Sequence, residues 1–404
     1  MAVASASTSE GILRPALSVR ALSLHILILL LALCASCDSA SERRRANKQE
    51  YITIGALFPL TGEHADEGIR ALNGLKLARQ EINAAGGVLG KKLDIIALDD
   101  GGDEKRVVEQ YRVLLERGVS AIIGSSFSYV TLPLAKASEA DGIPVITPTA
   151  SNPEITEGRK NVFRMIFLDD DQAKVAASFA RGNLGAKTAL IMRGDSRYES
   201  MHDVFAAAFR AGGGRIMGEE RFKEPADFDS ILSKYRNRQP DVIFCAADYI
   251  IAAELAEAVH NTGLNNSKLM GTDAWDGILS FAHRLEPMER VYYTAPFSFD
   301  ESDPKVARFS QRYFDNFSYT PISTSALSYS AVQVLAAAIE KTGGTDAQAL
   351  INTMRSDVFD VVIGQMRYDE NNNPHNLSTY VYIMQIKSGY YSSAKKVSIG
   401  EAPL

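Results

Sequence analysis

From Tyr51 onward the chain alternates two hydrophobic rhythms: short unbroken apolar runs, and longer stretches with apolar residues three or four positions apart. The runs at Tyr51–Leu57, Leu93–Leu98, Ala121–Ile123, Pro144–Ile146, Ala189–Ile191, Val242–Phe244 and Val291–Tyr293 have the length and composition of strands buried on both faces. Between the first two, Leu72, Leu75, Ala78 and Ile82 fall on one face of a helix that begins near Gly68 and stops at Gly86-Gly87. Asp103 opens a second helix with Val107, Val108, Tyr111, Leu114 and Leu115 inward, and Gly118 ends it. Strand followed by helix, repeated, predicts parallel sheets covered by helices. The stretch from Tyr51 to Leu404 is longer than one hydrophobic core holds, so two α/β lobes are expected. Ligands of such folds lie at strand carboxyl ends and between lobes.

Before Tyr51 the pattern changes. Arg14 and Arg20 precede an apolar run at 26–33, followed by Cys34-Ala35-Ser36-Cys37, which is the layout of an export signal. The run is shorter than the roughly 20 residues that span a bilayer. Its end is similar to a bacterial lipobox, with cleavage before a lipidated Cys37, although Cys34 stands where that pattern prefers Leu. From Asp38 to Glu50 nothing apolar is larger than Ala, so this segment cannot join a core and reads as a tether. The expected organisation is therefore a signal peptide over 1–36 and a lipidated tether over 37–50. The mature protein is expected in the periplasm or at the cell surface, held to the membrane by a lipid anchor.

Composition removes several classes of function. Of 404 residues 46% are apolar and 23% charged, which suits an ordinary globular chain. A net charge of -6 offers no basic surface for a phosphate backbone, so no nucleic-acid partner is expected. Three Cys residues, of which only Cys245 follows residue 40, make no disulfide scaffold. No two His residues have metal-ligand spacing, and the acidic clusters at Asp99-Asp100 and Asp169-Asp170-Asp171 read as helix capping and hinge solvation, so neither a metal nor a cofactor is expected. Gly194-Asp195-Ser196 has the look of an esterase nucleophile block, but no Asp-x-x-His follows to supply a base, and no catalytic residue is assigned.

The segments Ile54-Gly55-Ala56-Leu57-Phe58-Pro59-Leu60-Thr61-Gly62, Asn73-Gly74 and Glu81-Ile82-Asn83-Ala84-Ala85-Gly86-Gly87-Val88-Leu89-Gly90 come in that order. Asp99-Asp100, Ile123-Gly124-Ser125-Ser126, Ile146 to Pro153 and Met270-Gly271-Thr272-Asp273 follow. Together they resemble the type I periplasmic solute-binding proteins, in the leucine/isoleucine/valine-binding branch. The resemblance implies two doubly wound parallel-sheet lobes joined by three hinge crossings, near Phe167–Asp171, Pro296–Asp300 and Val358–Gly364. Lobe 1 would then comprise 51–168 plus 299–360, and lobe 2 would comprise 169–298 plus 361–404, with final hairpin-like strands around Met366 and 379–386.

The resemblance also implies a ligand site for a small zwitterion. Ser128, placed in the loop before a helix at Val130–Ala140, matches the family's carboxylate-binding serine, and Ser151 stands at a family threonine that donates its hydroxyl. The Thr149 carbonyl matches the acceptor of the ligand ammonium, and Asp273 matches the acidic residue that pairs with it. Tyr198 resembles the aromatic that closes over the ligand, while Asp248 and Tyr249 straddle the remaining aromatic position. Ser128 and Ser151 as helix caps, Asp273 as a cap, and Tyr198 as a packing residue are the structural alternatives. Glu67 departs from the pattern, falling where branched-chain binders place an aromatic wall. A buried carboxylate penalises an aliphatic neighbour, so Glu67 points to a polar or basic amino acid or another amine-bearing metabolite, unless it is a solvated loop acid.

The function so implied is the extracytoplasmic solute-binding component of an ABC importer, with a membrane permease as partner and no reaction catalysed. A ligand-sensing receptor subunit is the alternative, and an exported hydrolase a third.

Overall fold

The computed structural model describes residues 50–299, 302–375 and 380–399. The expected signal peptide, Cys37, the tether up to residue 49, the Asp300 end of the second crossing and the start of the final strand segment at residue 379 lie outside the described residues.

Strands β1 (Tyr51–Phe58), β2 (Lys92–Asp99), β3 (Ile122–Gly124), β4 (Val145–Thr147) and β5 (Val162–Arg164) form one sheet in the order β2-β1-β3-β4-β5. Its pairs β1–β3, β3–β4 and β4–β5 are parallel. A second sheet runs β14-β13-β10-β9-β8-β6-β7. Here β6 (Thr188–Arg193), β7 (Arg215–Arg221), β8 (Val242–Phe244), β9 (Lys268–Gly271) and β10 (Val291–Ala295) are parallel. The hairpin of β13 (Tyr380–Lys387) and β14 (Tyr390–Ser398) adds two antiparallel strands at one edge. The sheet order reverses about β1 in the first lobe and about β6 in the second, which is the doubly wound arrangement expected of the sequence.

The covering helices are α1 (Ala65–Ala84), α2 (Glu104–Glu116), α3 (Ser128–Asp141), α4 (Asp169–Gly182), α5 (Glu199–Ala211), α6 (Phe228–Ser233), α7 (Tyr249–Asn261), α8 (Pro304–Phe317), α9 (Ser323–Thr342) and α10 (Ala347–Ser356). Side-chain alternation along each strand splits the core into layers. In β6, Ala189 and Ile191 join the layer that holds Phe205 and Phe209 of α5, whereas Leu190 and Met192 join the one that holds Leu255 and Val259 of α7. In β1, Ile54, Ala56 and Phe58 face Leu75 and Ala78 of α1, and Leu57 faces Tyr111 and Leu114 of α2.

Helices α8 to α10 return to the first lobe, and α9 lies along α1. Gly74 permits that approach, because a Cβ there would overlap the Ser325 carbonyl of α9. Met366 does not join the second sheet. It sits in β12 (Gly364–Arg367), which pairs with β11 (Val358–Val361) as a separate two-stranded ribbon packed on α9 and α10. The third expected crossing is thus a β-ribbon, and residue 360 lies inside one of its strands. Two other strands escaped the hydrophobic pattern: β7 (Arg215–Arg221) carries four charged residues at a sheet edge, and β5 ends on Arg164.

Candidate functional site

The carboxyl ends of the parallel strands in both sheets face one cavity of about 180 Å³. All eight residues singled out in the sequence line it: Glu67, Ser128, Thr149 and Ser151 from the first lobe, and Tyr198, Asp248, Tyr249 and Asp273 from the second. Seven of them lie within five residues of a strand end, so a side chain just past the strand reaches the gap whatever the rest of its loop does, and Glu67 reaches it from the first turn of α1, nine residues beyond β1.

On the first-lobe side, Ser128 is the first residue of α3 and not part of a preceding loop, since the helix starts two residues earlier than expected. The Asn152 N–H donates to Ser128 Oγ over 3.2 Å, which leaves the Ser128 O–H to donate elsewhere. Thr149 Oγ1 donates to the Ser126 carbonyl over 2.9 Å. The loop carrying Thr149 and Ser151 is held from beneath by Arg164, which is fully buried. Its guanidinium donates to the carbonyls of Ala150 (3.1 Å) and Asn152 (2.8 Å) and to Thr156 Oγ1 (2.8 Å). Burial pushes this guanidinium down to about 10, and Asp169 and Asp369 oppose the shift.

On the second-lobe side, Asp273 begins a short 3-10 turn after β9, with Thr272 and not Asp273 in the capping position. Gln172 of α4 clamps it twice: Gln172 Nε2 donates to Asp273 Oδ1 over 2.6 Å, and the Asp273 N–H donates to Gln172 Oε1 over 3.0 Å. The turn continues into the fully buried Trp275, whose ring covers Gly271, where a Cβ would overlap the indole. Asp248 and Tyr249 both line the cavity. Asp248 Oδ1 also caps α7, accepting from the N–H groups of Ile250 and Ile251 at 3.0 Å each. Tyr249 begins that helix, and its buried hydroxyl has no hydrogen-bond partner. Burial and the Asp248 charge push the Tyr198 phenol well up.

The cavity is acidic. Burial first, then the charges of Asp273 and Asp276, raise Glu67 to about 8, with the Ser126 hydroxyl opposing. Glu67 is therefore a buried group and not a solvated loop acid. Burial and the neighbouring Asp169 raise Asp273 to about 7, with Gln172 opposing. Burial also raises Asp169 and Asp276, so Asp169 does more than solvate a hinge.

Several contacts cross the gap, and sequence reading missed them. The Ser323 N–H at the start of α9 donates to Asp276 Oδ2 over 2.6 Å. Arg197, bonded to Asp195, lies over the Tyr129 ring with 4.1 Å to its centroid. Arg164 and Gln172 escaped because neither stands in any of the ordered motifs. A charged residue closing an apolar triplet, as in Val162-Phe163-Arg164, was the available signal for the first. Among the described residues, no group of three or more His, Cys, Asp or Glu is arranged to hold a metal ion. No helix among them is long and apolar enough to cross a membrane.

The periplasmic binding protein family profile matches residues 51–391, the whole of both lobes up to the start of β14. The chain belongs to this family. Among the relatives of this periplasmic binding protein is the Leu/Ile/Val-binding protein BraC3 of Rhizobium johnstonii, 28% identical over 339 residues, covering 82% of this chain and 91% of the relative. The leucine-, isoleucine-, valine-, threonine- and alanine-binding protein of Pseudomonas aeruginosa is 28% identical over 340 residues, covering 82% and 90%. Among solved structures, the branched-chain amino acid transporter substrate binding protein LivJ from Streptococcus pneumoniae, in complex with isoleucine, superposes with a TM-score of 0.79. That similarity has 25% identity and covers 86% of this chain and all of the other.

Proposed function

We propose that this periplasmic binding protein is the extracytoplasmic solute-binding component of an ABC importer, and that it captures an amino acid or a related small zwitterion between its lobes. The observation that carries this reading is the placement of opposite chemistry across one cavity. The hydroxyl of Ser128 and the start of α3 lie on one lobe, where unpaired helix N–H groups favour an anion. The Asp273 carboxylate lies on the other, where an ammonium group is favoured. The α-carboxylate of the ligand is taken by Ser128 and Ser151, and its ammonium by Asp273 and the Thr149 carbonyl, with Tyr198 and Tyr249 closing the sides. The family relatives, named for the amino acids they bind, support an amino acid as the ligand.

Binding shifts the open and closed populations by the difference in affinity between them, because only the closed form brings both lobes to the ligand. The closed form is what a membrane permease would recognise. No bond is made or broken in this cycle. The lipid anchor at Cys37 rests on the sequence of residues 26–37 and places the protein on the outer face of a membrane. Calorimetry and small-angle scattering on the mature protein test the reading. Amino-acid binding with lobe closure and with the ligand recovered intact supports it, whereas turnover of the ligand, or no amino acid bound by folded protein, overturns it.

A further inference from the structure

The cavity wall carries five carboxylates, from Glu67, Asp169, Asp248, Asp273 and Asp276, against the single guanidinium of Arg197. Four of the five have something to offset their charge. Asp169 lies near the buried Arg164, and Asp248 caps α7. Asp276 accepts from the Ser323 N–H and, over 3.2 Å, from the Tyr293 hydroxyl, with Arg70 nearby. Asp273 is clamped by Gln172 and is the partner assigned to the α-ammonium. Glu67 has beside it only the Ser126 hydroxyl, which itself makes no hydrogen bond, and the largest charges acting on it, Asp273, Asp276 and Asp248, are all acids. Arg197 is already bonded to Asp195, and Arg70 to Asp66, so neither is free to turn to it.

A zwitterion brings one positive and one negative charge and leaves that imbalance where it was. The imbalance falls when the ligand brings a second cation. A separate observation points the same way: Tyr249 is 4% exposed, lines the cavity, and holds a hydroxyl without a hydrogen-bond partner. A phenol oxygen accepts from an N–H donor, and the rings of Phe127 from the first lobe and Tyr249 from the second line the same cavity, where aromatic faces attract cations. An aliphatic side chain would meet the desolvated Glu67 carboxylate with nothing to satisfy it.

We propose that the ligand is an α-amino acid with a basic side chain, and that Glu67, assisted by Tyr249, is the residue that selects it. This inference rests on the amino-acid reading above and narrows it to one substrate class. It places the second cation where the branched-chain binders are expected to wall off an aliphatic group.

Matched pairs test it, because lysine differs from norleucine, and ornithine from norvaline, by the terminal amine alone. Calorimetry on the mature protein at pH 8.5, above the value of about 8 at which Glu67 releases its proton in the ligand-free protein, is expected to give at least tenfold tighter binding for one basic member than for its neutral partner. Glu67→Gln keeps the size and removes the charge, and is expected to erase that ratio while neutral analogues bind as well or better. A neutral member binding as tightly as its basic partner, or a ratio unchanged in Glu67→Gln, overturns the inference and leaves the amino-acid reading standing. Failure of every α-amino acid to bind wild-type protein with native circular dichroism overturns the amino-acid reading itself. The wild-type pairs decide the matter even where the variant does not fold.

Discussion

Replacing Glu67 by Gln should change how stability depends on pH. An ordinary glutamate titrates near 4.5, and the folded protein raises Glu67 to about 8. Below about pH 4.5 folded and unfolded chains both hold the proton, and the stability this group contributes is fully present. Between 4.5 and 8 the folded chain keeps the proton that the unfolded chain releases, so stability falls as pH rises and is lost above about 8. At about 1.4 kcal/mol per pH unit, the full interval sets a ceiling of about 5 kcal/mol. Opening of the lobes rehydrates the carboxylate, which reduces the expected loss to about 1–2 kcal/mol. For a domain of this size about 2 °C corresponds to 1 kcal/mol. Thermal unfolding of the ligand-free protein between pH 5 and pH 8 should therefore cost the wild type about 2–4 °C more than Glu67→Gln. The variant keeps the smaller slope due to Asp273. Parallel curves for the two proteins would show that water reaches Glu67 in the folded state and would refute the reasoning.

Two further perturbations address the second lobe. Asp273→Asn keeps the size of the side chain and removes its charge, and should weaken amino-acid binding by about 2–5 kcal/mol, read as the ratio of Kd values by calorimetry. A change of less than threefold would deny Asp273 its place opposite the ammonium. Gly271→Ala places a methyl group into the Trp275 ring, so the turn bearing Asp273 must shift. The expected result is a loss of about 1–3 kcal/mol in stability by chemical denaturation together with weaker binding, and unaltered affinity would show that the turn adjusts without moving the carboxylate.

Much of this architecture is written in local patterns. Unbroken apolar triplets such as Val242-Ile243-Phe244 are legible as strands because both faces are buried and no polar residue interrupts them. The ribbon β11–β12 and the edge strand β7 were not, since exposure on one side lets charged residues alternate in, as in Arg215-Ile216-Met217-Gly218-Glu219-Glu220-Arg221. The eight site residues were found by position within ordered motifs, and motifs report where a side chain follows a strand. They do not report what lies beneath it. Gln172 is 101 residues from Asp273, and Ser323 is 47 residues from Asp276, so the first pairing depends on how a helix packs within the second lobe and the second on how α9 meets that lobe across the gap. The choice between a solvated and a buried Glu67 had the same character. It is decided by burial, which the packing of both lobes produces, and the acids that raise Glu67 further, Asp273, Asp276 and Asp248, arrive from distant parts of the chain.

Trp275 is the sole tryptophan of the chain, fully buried, and two positions beyond Asp273. Excitation at the red edge of protein absorption will therefore report on one place, the turn that presents the carboxylate. Its indole N–H lacks a hydrogen-bond partner, so its emission should start blue and respond to small reorientations of nearby dipoles. The molecule carries its own optical gauge of ligand capture, with no label attached, fast enough to time the encounter in a stopped-flow instrument.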